Sequence, residues 1–169
     1  MKMKALLSLV LVMMLAGIAV RPAFAHDNDV REQLERVRDA TERFHSIKNV
    51  MAAGYSLVPG LDNCFDNPPV GGMGFHYINV SLLDNVVDPL KPEAMVYAPG
   101  RNGRLNLGAV EYIVPIAGWD AVHTQPPTLF GQTYMRNTAL GVYSLHAWIW
   151  KHNSLGMFSD WNPKVSCPK

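Results

Sequence analysis

Cysteine is scarce in this 169-residue chain, which has only Cys64 and Cys167. No C-x-x-C spacing accompanies them, so they make a poor pair of metal thiolates. An even pair reads instead as one disulfide in an oxidising compartment. Closing a loop of about 100 residues contributes on the order of 4 to 5 kcal/mol in the chain-entropy treatment. Charge is also sparse, at 17% of residues, and nearly balanced. Such a chain has little to offer a phosphate backbone, and nucleic acid is not an expected partner. There is no Gly-x-Ser-x-Gly elbow and no His-Glu-x-x-His run, which leaves hydrolase assignments without an anchor. Internal repeats and low-complexity tracts are absent as well.

Long apolar runs are missing except at the start. Lys2 and Lys4 precede an apolar stretch from Ala5 to Val20, and Ala23-Phe24-Ala25 forms a small-x-small cleavage site. Residues 1–25 therefore read as a secretory signal peptide, the rival being an uncleaved anchor. The run is somewhat shorter than the roughly 18 to 20 residues of a spanning helix. Cleavage predicts a secreted or periplasmic protein, residues 26–169 as a single globular domain, and no membrane association thereafter. Three of the fifteen basic residues and none of the fourteen acidic ones precede His26, which leaves twelve against fourteen and a slightly acidic domain. Cleavage would also free the amine of His26 beside its imidazole, making His26 a copper candidate. The plainer reading takes Asp27-Asn28-Asp29 as a polar lead into a helix.

Helical periodicity is clearest where Val30, Leu34, Val37, Phe44, Ile47 and Met51 recur with a charged opposite face, predicting one long amphipathic helix over about 30–53. Asp29 and Glu32 suggest a capping box and Gly54 a C-terminal stop. Beyond it lie short extended pieces: Phe75 to Val80, Ala94 to Ala98, Leu105 to Val114 and Val142 to Lys151. Asn102-Gly103 suits a two-residue type I′ turn that would set Ala94 opposite Glu111. The expected fold is α+β, the long N-terminal helix packing on a curved antiparallel sheet. A small β-barrel with an external helix is the alternative. Residues 56–74 and 115–141 form long loops, either able to wall a pocket. The glycines of Gly71-Gly72-Met73-Gly74 resemble a phosphate cradle, but no Lys-Ser/Thr follows, and a tight lead into the strand at Phe75 accounts for them better.

In that register Glu111 shares a face with Ala94, Val96, Leu107, Ala109 and Ile113. A carboxylate on an apolar face needs a proton, a hydrogen bond, a cation or a metal. His76 and His146 hold comparable positions in other strands, and His76, Glu111 and His146 form a two-histidine, one-carboxylate set suited to Zn, Fe or Cu if they converge. Tyr77, Tyr112 and Trp148 are candidate pocket neighbours. The competing readings are a polar network without metal, in which Arg104 is a further partner for Glu111, and three unrelated residues. His146, Trp148, Trp150 and His152 alternate along one predicted face. They are either core or a platform for sugars, with Asn153, Asp160 and Asn162 as polar partners. Asn79-Val80-Ser81 is an N-glycosylation sequon.

The segments Gly72-Met73-Gly74-Phe75-His76-Tyr77, Val110-Glu111-Tyr112-Ile113-Val114-Pro115, Leu145-His146-Ala147-Trp148-Ile149-Trp150 and Trp161-Asn162-Pro163 together resemble a family of secreted bacterial proteins. The resemblance spans the chain from about Ala40 onward. It implies a bacterial periplasmic or extracellular setting and carries over no cofactor, reaction or catalytic role. The residues themselves point to a small secreted binding domain with an unidentified ligand and a polar or divalent-metal site. A non-catalytic protein- or glycan-interaction domain is the other class.

Overall fold

A computed structural model describes residues 23–168, with side chains from Asn28 onward except that of Asn102. Residues 1–22 of the expected signal peptide 1–25 and the side chain of His26, the copper candidate, lie outside the described part. Helix α1 runs Ala23–Thr41, a 3₁₀ turn follows at Glu42–His45, and α2 spans Ile47–Ala52. The single helix expected over 30–53 is thus two. Thr41 is fully buried, and its hydroxyl donates to the Val37 carbonyl one turn back at 2.7 Å while accepting from the Trp150 indole. Such back-bonding by threonine bends helices. Ser46 is then fully extended out of the helix, so Phe44 and Val50 reach the core while Met51, expected on the apolar stripe, is exposed. Asp29 lies inside α1, whose alanine-rich start at Ala23 carries the helix upstream of the expected cap. Gly54, at φ +89°, ends α2 as expected, with Tyr55 N–H donating back to the Val50 carbonyl.

Six strands form one antiparallel sheet: β1 (Phe65–Asn67), β2 (Gly71–Ile78), β3 (Ala94–Pro99), β4 (Leu105–Pro115), β7 (Met135–Asn137) and β8 (Val142–Ala147), in the order β1-β2-β3-β4-β8-β7. The sheet curls into a half-barrel and does not close, so the barrel alternative fails and the helix-on-sheet expectation holds. A short helix α3 (Ile116–Asp120) and a separate ribbon of β5 (Thr128–Leu129) and β6 (Gln132–Thr133) occupy the region expected to be loop. One sheet face packs on the helices: Tyr97, Val110, Tyr112 and Leu145 meet Leu34, Val37, Phe44 and Val50. The other face turns away from them and carries the polar cluster described below.

Ala94 does lie opposite Glu111, by a route the sequence conceals. The connecting loop has three residues, with a 3₁₀ turn at Arg101–Gly103 and Gly103 at φ +72°. Gly100 N–H bonds the Arg104 carbonyl across it. Near the turn Tyr97 therefore faces Leu107. Val96 faces Ala109, which leaves Gly108 as an extra residue in a β-bulge. The bulge cancels the one-residue offset of the longer loop. It also puts Leu107 on the helix side, so Leu107 does not share the face of Glu111. The Gly108 carbonyl accepts from the N–H groups of Trp150 and Lys151.

The C-terminal segment closes the domain. Gly72 and Asn162 exchange backbone hydrogen bonds of 3.2 and 2.9 Å. A Cβ at Gly71 would strike the Asn162 carbonyl, and one at Gly74, φ +107°, would strike that of Tyr97. The Gly-Gly-Met-Gly run is therefore itself strand, stripped of side chains where other backbone lies against it. Cys64 and Cys167 form the expected disulfide. Among the described residues no helix is long and apolar enough to cross a membrane.

Candidate metal centre

His76, Glu111 and His146 come from three different strands and meet on the face turned away from the helices. Glu111 lies directly opposite His146 on β8, which makes the two cross-strand neighbours. His76 sits on β2, opposite Val96 of β3, and so is two strands away from Glu111, roughly 10 Å in a flat sheet. The curl of the sheet and the short side chains of Ala94 and Val96 between them let the imidazole and the carboxylate meet over β3.

The distances are those of one cluster. His76 Nε2 is 3.5 Å from Glu111 Oε2, His146 Nε2 is 3.8 Å from Glu111 Oε1, and the two Nε2 atoms are 3.3 Å apart. Ligand atoms from the three residues all lie within 4.8 Å of one another. A tetrahedral ion with bonds of 2.0 to 2.1 Å separates its ligand atoms by about 3.3 to 3.4 Å. The triangle is close to that size. Behind it, His146 Nδ1 is 3.2 Å from Asp160 Oδ1, the carboxylate–histidine arrangement that orients metal-bound imidazoles.

All three residues are buried, His146 to 2% exposure. Burial lowers the His76 pKa to about 4, outweighing the pull of Glu111, and nearby His146 lowers it further. His76 is thus a neutral imidazole. Its Nδ1 has no hydrogen-bond partner of good geometry, the Gly74 backbone offering a weak one at most. Burial acts against charge on His146 as well, but Glu111 and the Asp160 hydrogen bond more than offset it, and its pKa is raised. Without a cation, neutral His76 has one proton for two ring nitrogens: on Nε2 it serves Glu111 or His146 and leaves Nδ1 unpaired, and on Nδ1 it leaves a lone pair facing the Glu111 carboxylate. A divalent ion would accept lone pairs from all three residues at once.

The cluster forms the floor of a cavity of about 380 Å³. Its walls are apolar, with Ile78, Leu83, Ile113 and Trp161 among them, and Ser144 and Asn137 add polar groups. Tyr77 and Tyr112 do not line it, because residues next to His76 and Glu111 in a strand point to the opposite face. Tyr77 packs on Tyr97, and the Tyr112 hydroxyl donates to the Pro89 carbonyl on the helix side. Trp148 is also outside the cavity, buried against Val96, Ala98, Ala109 and Val165, its indole N–H donating to the Ser159 carbonyl. Arg104 is exposed at the hairpin, remote from Glu111. The tryptophan platform is absent for a related reason. β8 ends at Ala147, the chain bends, and Trp150 turns to the helix side to bond Thr41.

Two acidic residues matter that periodicity could not single out. Asp160 precedes the bridge at Asn162, so its meeting with His146 depends on a contact between distant segments. Glu93 is 3% exposed, and its Oε2 accepts from Ile113 N–H at 2.9 Å. From just ahead of β3, next to Pro92, it thereby satisfies a backbone donor of β4. Asn79, the sequon residue, donates its amide to the Ala53 carbonyl and accepts from Ser81. No protein family matches this chain, and no curated protein or solved structure is significantly similar to it.

Proposed function

We propose that the protein is a secreted or periplasmic small-molecule-binding domain whose pocket floor holds one divalent transition metal on His76, Glu111 and His146. The observation that carries this reading is the convergence of three buried donor atoms from three strands, spaced as ligands of a single ion. A two-histidine, one-carboxylate set leaves coordination positions free, and here they open into the cavity. Asp160 supplies the outer contact that fixes the Nδ1–H tautomer of His146. Zn, Fe and Cu are all compatible with the donor types.

Protein purified without an affinity tag and assayed by elemental analysis is expected to carry, or to take up on reconstitution, about one equivalent of a transition metal. Less than about a tenth of an equivalent of any such metal, unchanged by reconstitution, would favour a hydrogen-bonded network in a non-catalytic interaction domain.

A further inference from the structure

The cavity above the cluster has a composition that the cluster does not require. At the roughly 30 Å³ that a water molecule takes up, its volume of about 380 Å³ holds about a dozen non-hydrogen atoms. Ile78 and Ile113 wall it near the floor, and Met135 and Leu140, 48% and 54% exposed, form an apolar lip. Large exposed apolar side chains around a concave site mark a surface that gains by being covered. Sugars and other polyols would find few partners along such walls.

The charge of the floor is the second constraint. Among the described residues no lysine or arginine lines the cavity, and the acidic groups there are Glu111 and Asp160. Without metal this floor repels an anion. With a divalent ion on two neutral imidazoles and one carboxylate, the inner set carries a net positive charge and has a position open to an oxygen donor. We infer that the cavity binds a small amphiphilic monocarboxylate, its apolar body against the walls and its carboxylate on the ion held by His76, Glu111 and His146. This inference rests on the metal-centre reading and adds the class of ligand. Metal binding and ligand binding are coupled in it, because the ion offsets the charges of Glu111 and Asp160 and supplies the position that the ligand's carboxylate takes.

The test uses the full chain, loaded with Zn²⁺ or stripped and dialysed free of chelator, titrated calorimetrically with straight-chain carboxylates from acetate to tetradecanoate. In the zinc form, affinity should rise about three- to fourfold per methylene and level off near a dozen non-hydrogen atoms. The stripped form should bind each acid at least tenfold more weakly, and octanol should show no such dependence on metal. Val142→Trp, which fills the cavity from β8, should keep one equivalent of zinc and bind acetate while losing octanoate. If that variant does not fold, the chain-length and metal series on the unaltered protein decide. A flat chain-length series overturns the proposal, as does equal binding to both forms. Zinc uptake with no carboxylate binding overturns it and leaves the metal centre standing, whereas no zinc uptake overturns the metal centre and this inference with it.

Discussion

A metal-bound imidazole must keep a lone pair on its ligating nitrogen, and the partner of its other nitrogen decides how firmly it does so. His146 has such a partner in Asp160, whereas His76 Nδ1 has none of good geometry. Asp160→Ala should therefore weaken metal binding about 10- to 100-fold in a chelator competition, with the fold kept because Asp160 lies at the cavity edge. His76→Ala and Glu111→Gln should abolish binding in the same assay. An Asp160→Ala affinity equal to that of the unaltered protein would remove the outer-shell role. Glu93 carries a separate expectation. Burial first, then the charges of Asp84 and Glu111, raise its pKa from 4.5 to about 8, against the lowering effect of its backbone hydrogen bonds. The folded protein then holds a proton that the unfolded chain releases above pH 4.5. Stability from this group is complete below that pH and falls with rising pH until about 8, by roughly 1.4 kcal/mol per unit at most. Denaturation at pH 5 and pH 8 should show that fall in the unaltered protein and a smaller one in Glu93→Gln. Equal falls in both would sink the assignment, and the comparison holds the histidines constant. None of these partnerships was legible in the sequence, because each joins side chains whose segments meet only in the folded sheet.

At the scale of elements, the four main strands and the helix preceding them were legible from alternation and from the three- and four-residue spacing of apolar side chains. What alternation could not show is a second irregularity that cancels a first. The three-residue turn at Arg101–Gly103 and the bulge at Gly108 offset one another, so Glu111 reaches the expected face while Leu107 does not. The helix break at Thr41 was hidden likewise, since the apolar spacing continues through it and the Thr41 hydroxyl bonds back to the Val37 carbonyl while accepting from distant Trp150. Strand β2 gives an element-scale prediction. Gly74 holds φ +107° with the Tyr97 carbonyl where a Cβ would be, whereas Gly60, at φ +86°, has open space there. Gly60→Ala should cost backbone strain of about 1 to 3 kcal/mol, and Gly74→Ala distinctly more, measured by urea denaturation. Equal costs would show that β2 and β3 can part at no penalty.

Over the whole molecule, the Cys64–Cys167 disulfide ties two walls of the cavity together. Leu61 and Phe65 flank one cysteine, and Asp160 and Trp161 stand a few residues before the other; all four line the cavity. Cys64→Ser/Cys167→Ser is expected to lose about 2 to 5 kcal/mol of stability and also to bind metal more weakly, the same direction as expected of Asp160→Ala. Metal affinity unchanged in the double variant would show that the backbone bonds between Gly72 and Asn162 hold the segment alone. Composition and pattern by themselves determined an α+β chain with one cysteine pair, the main strands, and three polar residues set in apolar surroundings, because these depend on local periodicity and on the cost of burying charge. Tertiary structure alone decided that His76, Glu111 and His146 converge, that Asp160 backs them, and that Tyr77, Tyr112 and Trp148 serve the core. Convergence depends on strand order, on the curl of the sheet and on a one-residue bulge, which are set by packing between segments far apart in the chain.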